Sequence, residues 1–169
     1  MKPFGRVLVA LIPFATLFVS DLASASASDE DSIRETVARW TDAWNSQDAA
    51  RFLALYPRDP KTIYFEGETA EPIKGFDAFE KYTRSLMLPE WKNHQETTIE
   101  ALTVDHDLAI AVCVAHVTYT DPERKVPHSE IARFTMVFKR IDGRWLVWHE
   151  HYSLPYDYDS GKVVFDGKE

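Results

Sequence analysis

Between residues 131 and 153 the chain reads as two runs of β-branched and aromatic residues around Asp142-Gly143. That dipeptide supplies the two positive-φ positions of a type I′ turn, so the pattern predicts a long hairpin. A two-residue loop pairs Ile141 with Arg144. Carried along both strands, this register puts Arg133, Thr135 and Val137 on one face with Trp148, Glu150 and Tyr152. Phe134, Met136 and Phe138 then share the other face with Val147, His149 and His151. A three-residue loop with a bulge exchanges these partnerships. Neither face is polar along its length, which predicts that one lines a pocket and the other lies at an interface.

Upstream the period lengthens to that of helices. Ile33, Val37, Trp40 and Trp44 form one stripe of a helix over 29–48, with Ser32 and Glu35 spaced as a capping box. Asn45-Ser46-Gln47 ends it. Asp48 caps a short second helix carrying Phe52, Leu53, Leu55 and Tyr56, which Pro57 and Pro60 stop. A strand over 61–66 leads through a polar loop, 67–75, into a third helix over 76–87. Strands then follow at 97–104 and 108–120, turned at Asp105-His106-Asp107 and Asp121-Pro122. Helices first and an antiparallel meander last is an α+β order, with the helices on one face of the sheet.

The N-terminus changes the domain picture. Lys2 and Arg6 precede an apolar run, 7–19, and then Ala23-Ser24-Ala25 and Ala25-Ser26-Ala27, the small-residue pattern of a cleaved signal peptide. The run is short of the roughly 20 residues of a membrane span. The expected organisation is a signal peptide at 1–27, one domain at 28–153 and a C-terminal tail at 154–169, in a periplasmic or secreted protein with no membrane span after cleavage. A net charge of −8 argues against nucleic acid as a partner. The single cysteine, Cys113, lies in an apolar run and reads as a buried, inert thiol. Aromatic residues make up 13% of the chain, enough to wall a pocket with flat apolar surfaces.

The opening helix with Trp40 and Trp44, the Asn-Ser-Gln-Asp at 45–48, the loop from Glu66 to Gly75, and Asp-Gly-Arg-Trp followed by His-Glu-His-Tyr-Ser resemble the nuclear transport factor 2-like superfamily. Ketosteroid isomerase, scytalone dehydratase and the SnoaL-type polyketide cyclases belong to it. The resemblance implies a cone-shaped, cystatin-like barrel, three helices packed on a curved antiparallel sheet, with a pocket inside the cone and pairing of subunits through the sheet. In ketosteroid isomerase the proton-shuttling carboxylate lies nine residues before the glycine that opens helix three. Glu66 stands nine residues before Gly75 and looks like its equivalent. Trp40 falls where that enzyme has its oxyanion tyrosine, and Thr135 near its second donor, so steroid isomerase activity is not implied. Tyr56 and Tyr82 match its supporting tyrosines.

On its own chemistry, Glu66 beside Trp40, Trp44, Phe52 and Tyr64 is a candidate desolvated base, against the alternative of a solvated loop acid. Tyr64 and His116 are its candidate catalytic partners, each weighed against a place in the core. Trp40, Trp44, Tyr56, Arg133, Thr135, Trp148, Glu150 and Tyr152 are candidate ligand contacts, with an Arg133–Glu150 ion pair as the structural alternative. A metal site at His116, His149 and His151 is weighed and not taken, and no cofactor is expected. The expected partners are a small apolar or aromatic molecule and a second copy of the chain, as a homodimer. The expected function is ligand binding with cofactor-free isomerase, dehydratase or cyclase chemistry. A non-catalytic binding or sensor module and an assembly domain are the alternatives.

Overall fold

The Asp142-Gly143 turn forms as the dipeptide requires, with φ of 50° and 74° and Ile141 opposite Arg144. Around it the computed structural model describes residues 17–67, 69–88, 90–120, 125 and 127–163. Helix α1 (Leu17–Asn45) and the short α2 (Ala49–Leu53) precede strand β1 (Ile63–Phe65), β2 (Ile73–Lys74) and helix α3 (Phe76–Leu86). The meander follows as β3 (Lys92–Asp105), β4 (Leu108–Thr120), β5 (Pro127–Ile141) and β6 (Arg144–Ser153). Among the described residues these strands form one curved, unclosed sheet in the order β2-β1-β6-β5-β4-β3, antiparallel except where β1 runs parallel to β6. The α+β expectation holds. Two short strands, β7 (Tyr156–Asp157) and β8 (Lys162–Val163), pair in the tail.

The hairpin departs from its predicted register at one residue. Pairs sum to 285 from Ile141–Arg144 to Phe138–Val147; beyond that Val137 faces His149 and Phe134 faces Tyr152. Trp148 is the extra residue of a β-bulge, its ring under the Lys139 ammonium (4.4 Å). Because side chains alternate with a period of two, the bulge exchanges faces for everything beyond it. Glu150 and Tyr152 therefore join Phe134 and Met136 on the inner face, and His149 and His151 join Thr135 and Val137 on the outer one.

Helix α1 also differs from expectation. Ser32 is no cap: the helix extends upstream through residues with no proline or glycine, and the Ser32 hydroxyl donates to the Ser28 carbonyl (2.9 Å). Of the expected leader, residues 1–16 lie outside the described residues, as do the predicted Asp121-Pro122 turn and residues 164–169. No described helix is long and apolar enough to cross a membrane. Asp29 ties α1 to the sheet, accepting from Arg140 (2.5 Å) and from the Trp145 indole (3.3 Å). At the other end the Asn45 amide takes both backbone groups of Gln95, accepting from its N–H (2.7 Å) and donating to its carbonyl (2.9 Å). Asp48 caps α2, as its position predicts, by accepting from Arg51 N (3.0 Å).

The core lies between the helices and the inner face of the sheet. Ile33, Val37 and Trp40 of α1 meet Phe134, Met136 and Phe138 there, all buried. Strand β4 inverts the usual arrangement: its inner positions are Ala109, Ala111, Cys113 and Ala115, while Leu108, Ile110 and Val112 are exposed outside. Small inner residues let the helices and the large β5 side chains approach the strand. Burial pushes the Cys113 thiol up to about 12, with the Glu150 carboxylate adding to the effect.

Candidate functional site

A cavity of about 450 Å³ opens between the sheet and the three helices. Trp40 and Trp44 of α1 and Phe52 of α2 form one wall, Phe79, Tyr82 and Leu86 of α3 another. Phe134 sits edge-on to Trp40 (5.1 Å) and stacks on Tyr152 (5.0 Å), so the walls are largely ring faces and edges. Trp91, Tyr119 and His128 line it further along, with His128 stacked on Tyr119 at 5.0 Å.

Polar groups enter this surface at a few places. Glu150 is buried at the base, and Tyr56 behind the wall donates to its Oε2 at 2.5 Å. Trp40 Nε1 donates to the Tyr56 hydroxyl at 2.7 Å. An indole N–H can only donate, so it fixes the direction of the chain: the Tyr56 oxygen accepts from Trp40 and its hydrogen points at Glu150. Desolvation pushes Glu150 up to about 7, opposed by the hydrogen bonds from Tyr56 and Trp40. Burial first, and then the neighbouring Glu150, raise Tyr56 well above the ordinary phenol range. Glu150 is thus an acid–base group near neutrality with a donor aimed at it. Glu130, also buried, accepts from Tyr152 (2.8 Å). Glu66 is half-buried in the wall just past β1. The next residue, Gly67, has no side chain for a reason: a Cβ there would lie 2.7 Å from the Tyr152 ring. Among the described residues, Trp44 Nε1 and Asn93 Oδ1 are buried with no hydrogen-bond partner, and both residues line the cavity. Orphaned buried groups of this kind are rare in native structures unless something else satisfies them.

Of the predicted site residues, Trp40, Trp44, Glu66, Glu150 and Tyr152 come together here. Tyr56 supports Glu150 from behind. The others lie elsewhere. Tyr64 is fully buried under Phe79 (3.9 Å between ring centres), which separates it from the cavity, and burial pushes its hydroxyl up to about 12. His116 has the parity of Ile110 and Val112 and is exposed on the outer face; apolar residues on both faces of β4 concealed that alternation. Arg133, Thr135 and Trp148 are excluded by the bulge. Arg133 donates to the Leu154 carbonyl (3.0 Å), so the Arg133–Glu150 pair does not form. His149 lies outside, its Nδ1 donating to the Ile63 carbonyl (2.6 Å), with the Phe65 ring between it and His151. Among the described residues no three His, Cys, Asp or Glu side chains are grouped to hold a metal ion. Sequence reasoning missed Glu130, although it shares the parity of Ala132, Phe134 and Met136. It also missed Asn93 and Gln95, on a strand predicted to begin at 97.

The family described as SnoaL-like domain matches residues 33–157. No curated protein matches the chain. Among solved structures, a nuclear transport factor 2-like protein of unknown function from Pseudomonas putida KT2440 superposes with a TM-score of 0.68 at 28% identity, over 85% of this chain and 99% of the other. One with a cystatin-like fold from Novosphingobium aromaticivorans gives 0.68 at 20% identity, over 88% and 96%. A candidate dehydratase of the same family from Streptomyces avermitilis gives 0.67 at 15%, over 75% and 97%.

Proposed function

The chain belongs to the SnoaL-like domain family, and from that premise we propose that it binds a small, largely apolar molecule in the cavity between its helices and its sheet. The observation that carries this reading is the cavity itself: about 450 Å³, walled by aromatic rings, with a few convergent polar groups. Native mass spectrometry of the full chain recovered from the cells that make it is the test. A small organic adduct on the wild type, absent from a Val117→Trp variant that fills the cavity, is the expected result. Clean wild-type protein that also fails to quench saturably with apolar aromatic probes would end the reading.

A second reading, cofactor-free acid–base catalysis of an isomerisation, dehydration or cyclisation, is favoured by Glu150. A carboxylic acid near neutrality is matched to proton transfer. Glu66, which also lines the cavity, is the second carboxylate that would take or return the proton. His116 and Tyr64 have no part in this version. Turnover undiminished in both Glu66→Gln and Glu150→Gln, once a substrate is in hand, would leave binding alone. Two further expectations stand as proposals. The N-terminal pattern supports export, tested by N-terminal sequencing of the secreted chain. The exposed Ile63, Phe65, Ile110 and Val112 support a homodimer through the outer face of the sheet. Sedimentation of Phe65→Glu as a monomer against a dimeric wild type would support it, and a monomeric wild type would dismiss it.

A further inference from the structure

The polar lining of the cavity is unevenly satisfied. Glu150 accepts from Tyr56 (2.5 Å), Glu130 accepts from Tyr152 (2.8 Å), the Gln95 amide donates to Thr97 Oγ1 (2.9 Å) and the Ser85 hydroxyl to the Tyr82 carbonyl (2.6 Å). Trp44 Nε1 and Asn93 Oδ1 stand apart from these. Among the described residues each is buried without a hydrogen-bond partner, and each belongs to a residue of the lining. They also belong to one corner. Trp44 lies in the last turn of α1, where its neighbour Asn45 clasps both backbone groups of Gln95 (2.7 and 2.9 Å) and so fixes the end of the helix against the start of β3. Thr41, one turn back, donates to Thr97 (2.9 Å). Asn93 precedes Gln95 by two residues and shares its face of the strand. In the ladder it stands opposite Tyr119, another lining residue. An indole N–H can only donate and a carboxamide oxygen can only accept. The fold thus leaves one donor and one acceptor, both uncharged, at the α1–β3 corner.

We infer that this corner is the polar subsite of the cavity, and that it takes an uncharged group with an acceptor and a donor side by side, a carboxamide edge or a hydroxyl, carried on a flat apolar body. This rests on the binding reading above and adds the ligand's polar end to it. The ligand's oxygen accepts from Trp44 Nε1 and its N–H or O–H donates to Asn93 Oδ1, while the body lies among Trp40, Phe52 and Phe134. Other groups satisfy one partner at most. A ketone, ether or carboxylate brings no hydrogen to Asn93, an ammonium brings no lone pair to Trp44, and a hydrocarbon leaves both unpaired. Neither atom is open to solvent in this conformation, so the ligand meets them as each side chain turns about χ1 and χ2 toward the cavity that it lines. No hydrogen bond within the chain is given up in that motion, and the pairing satisfies groups already withdrawn from water.

Three probes of one shape decide the matter: 2-naphthamide, 2-acetylnaphthalene and 2-isopropenylnaphthalene, which offer acceptor and donor, acceptor alone, and neither. They are titrated calorimetrically into the full chain and into two variants. Trp44→Phe should weaken the amide and the ketone by about tenfold relative to the hydrocarbon, which reports any change of shape. Asn93→Leu should weaken the amide alone, by a similar factor. A residue with a merely structural role would weaken all three probes together. 1-(2-Naphthyl)ethanol follows the amide where a hydroxyl fits the corner, and the ketone where only an amide edge spans it. Should either variant fold poorly, the unaltered chain still decides: the amide, though the more strongly hydrated, should bind at least as tightly as the ketone. Equal losses for all three probes, no loss in either variant, or a ketone that outbinds the amide in the unaltered chain overturns the inference and leaves the pocket intact. Failure of all three to bind the unaltered chain removes the pocket reading and this inference with it.

Discussion

Replacing Glu150 by glutamine should stabilise the protein, but only at neutral and alkaline pH. The carboxyl titrates near 7 in the fold against an ordinary value of 4.5, and desolvation is the main cause. A folded-state value above the unfolded one means that the fold binds the proton more tightly. Its stabilising contribution is complete below pH 4.5 and disappears as pH rises to 7. At about 1.4 kcal/mol per tenfold change in proton affinity, that interval corresponds to about 3 kcal/mol. Glutamine has the shape of the protonated acid, can accept from Tyr56 as the acid does, and does not ionise. Urea unfolding of both proteins, followed by tryptophan fluorescence between pH 4.5 and 8.5, isolates the effect, because every other titrating group is common to both and cancels. The variant should be within about 1 kcal/mol of wild type at the acid end. It should exceed wild type by about 3 kcal/mol at the alkaline end, a midpoint separation of about 1.5 M urea for a slope near 2 kcal/mol/M. Stability curves that run parallel across the range would refute the argument, since they would mean that Glu150 ionises as easily folded as unfolded.

The remaining expectations are smaller. Tyr56→Phe removes the donor that favours the ionised form of Glu150, so the titration midpoint should move up, and stability at pH 8 should fall by about 1 to 3 kcal/mol; an unmoved midpoint would detach the two residues. Gly143→Ala should cost about 1 to 2 kcal/mol, because the residue has φ of +74° with nothing within 4 Å of a Cβ, leaving only backbone strain to act. The Asp29 carboxyl, held below its ordinary value by the hydrogen bond from Arg140, stabilises the fold above pH 3.8, and this is lost on acidification. Asp29→Asn should therefore lower stability by about 1 kcal/mol at pH 7, and the difference should shrink as the pH falls below 3.8, read by thermal melts across that range. Cys113 should react with Ellman's reagent at the global unfolding rate and no faster, given its burial and raised thiol.

Local signals were legible wherever one feature decided the outcome. The Asp142-Gly143 turn, the Asp48 cap, the α1 stripe and the bounds of β4 all follow from composition at a few positions. The cavity was legible only in part, because membership depends on which side of the sheet a residue takes. Glu150 and Tyr152 were assigned to it with the wrong neighbours on β5, since no glycine or proline marks the bulge at Trp148. His116 was misplaced because β4 is apolar on both faces and its alternation of small and large residues resembles no ordinary half-buried strand. The Trp40–Tyr56–Glu150 chain links positions 16 and 94 residues apart, a distance that no local pattern spans.

Trp148 sets the reading frame of the last strand. Remove that single residue and β6 beyond it advances by one, turning Glu150 and Tyr152 out to solvent and bringing His149 and His151 inward, with no other letter changed. A deletion there would rewrite the chemistry of the cavity more completely than any substitution within it. Alignments of relatives that open a gap between Val147 and His149 would, for the same reason, equate lining residues with residues on the opposite side of the sheet. The count of residues between the turn and Glu150 is therefore as much a specification of the site as the glutamate itself.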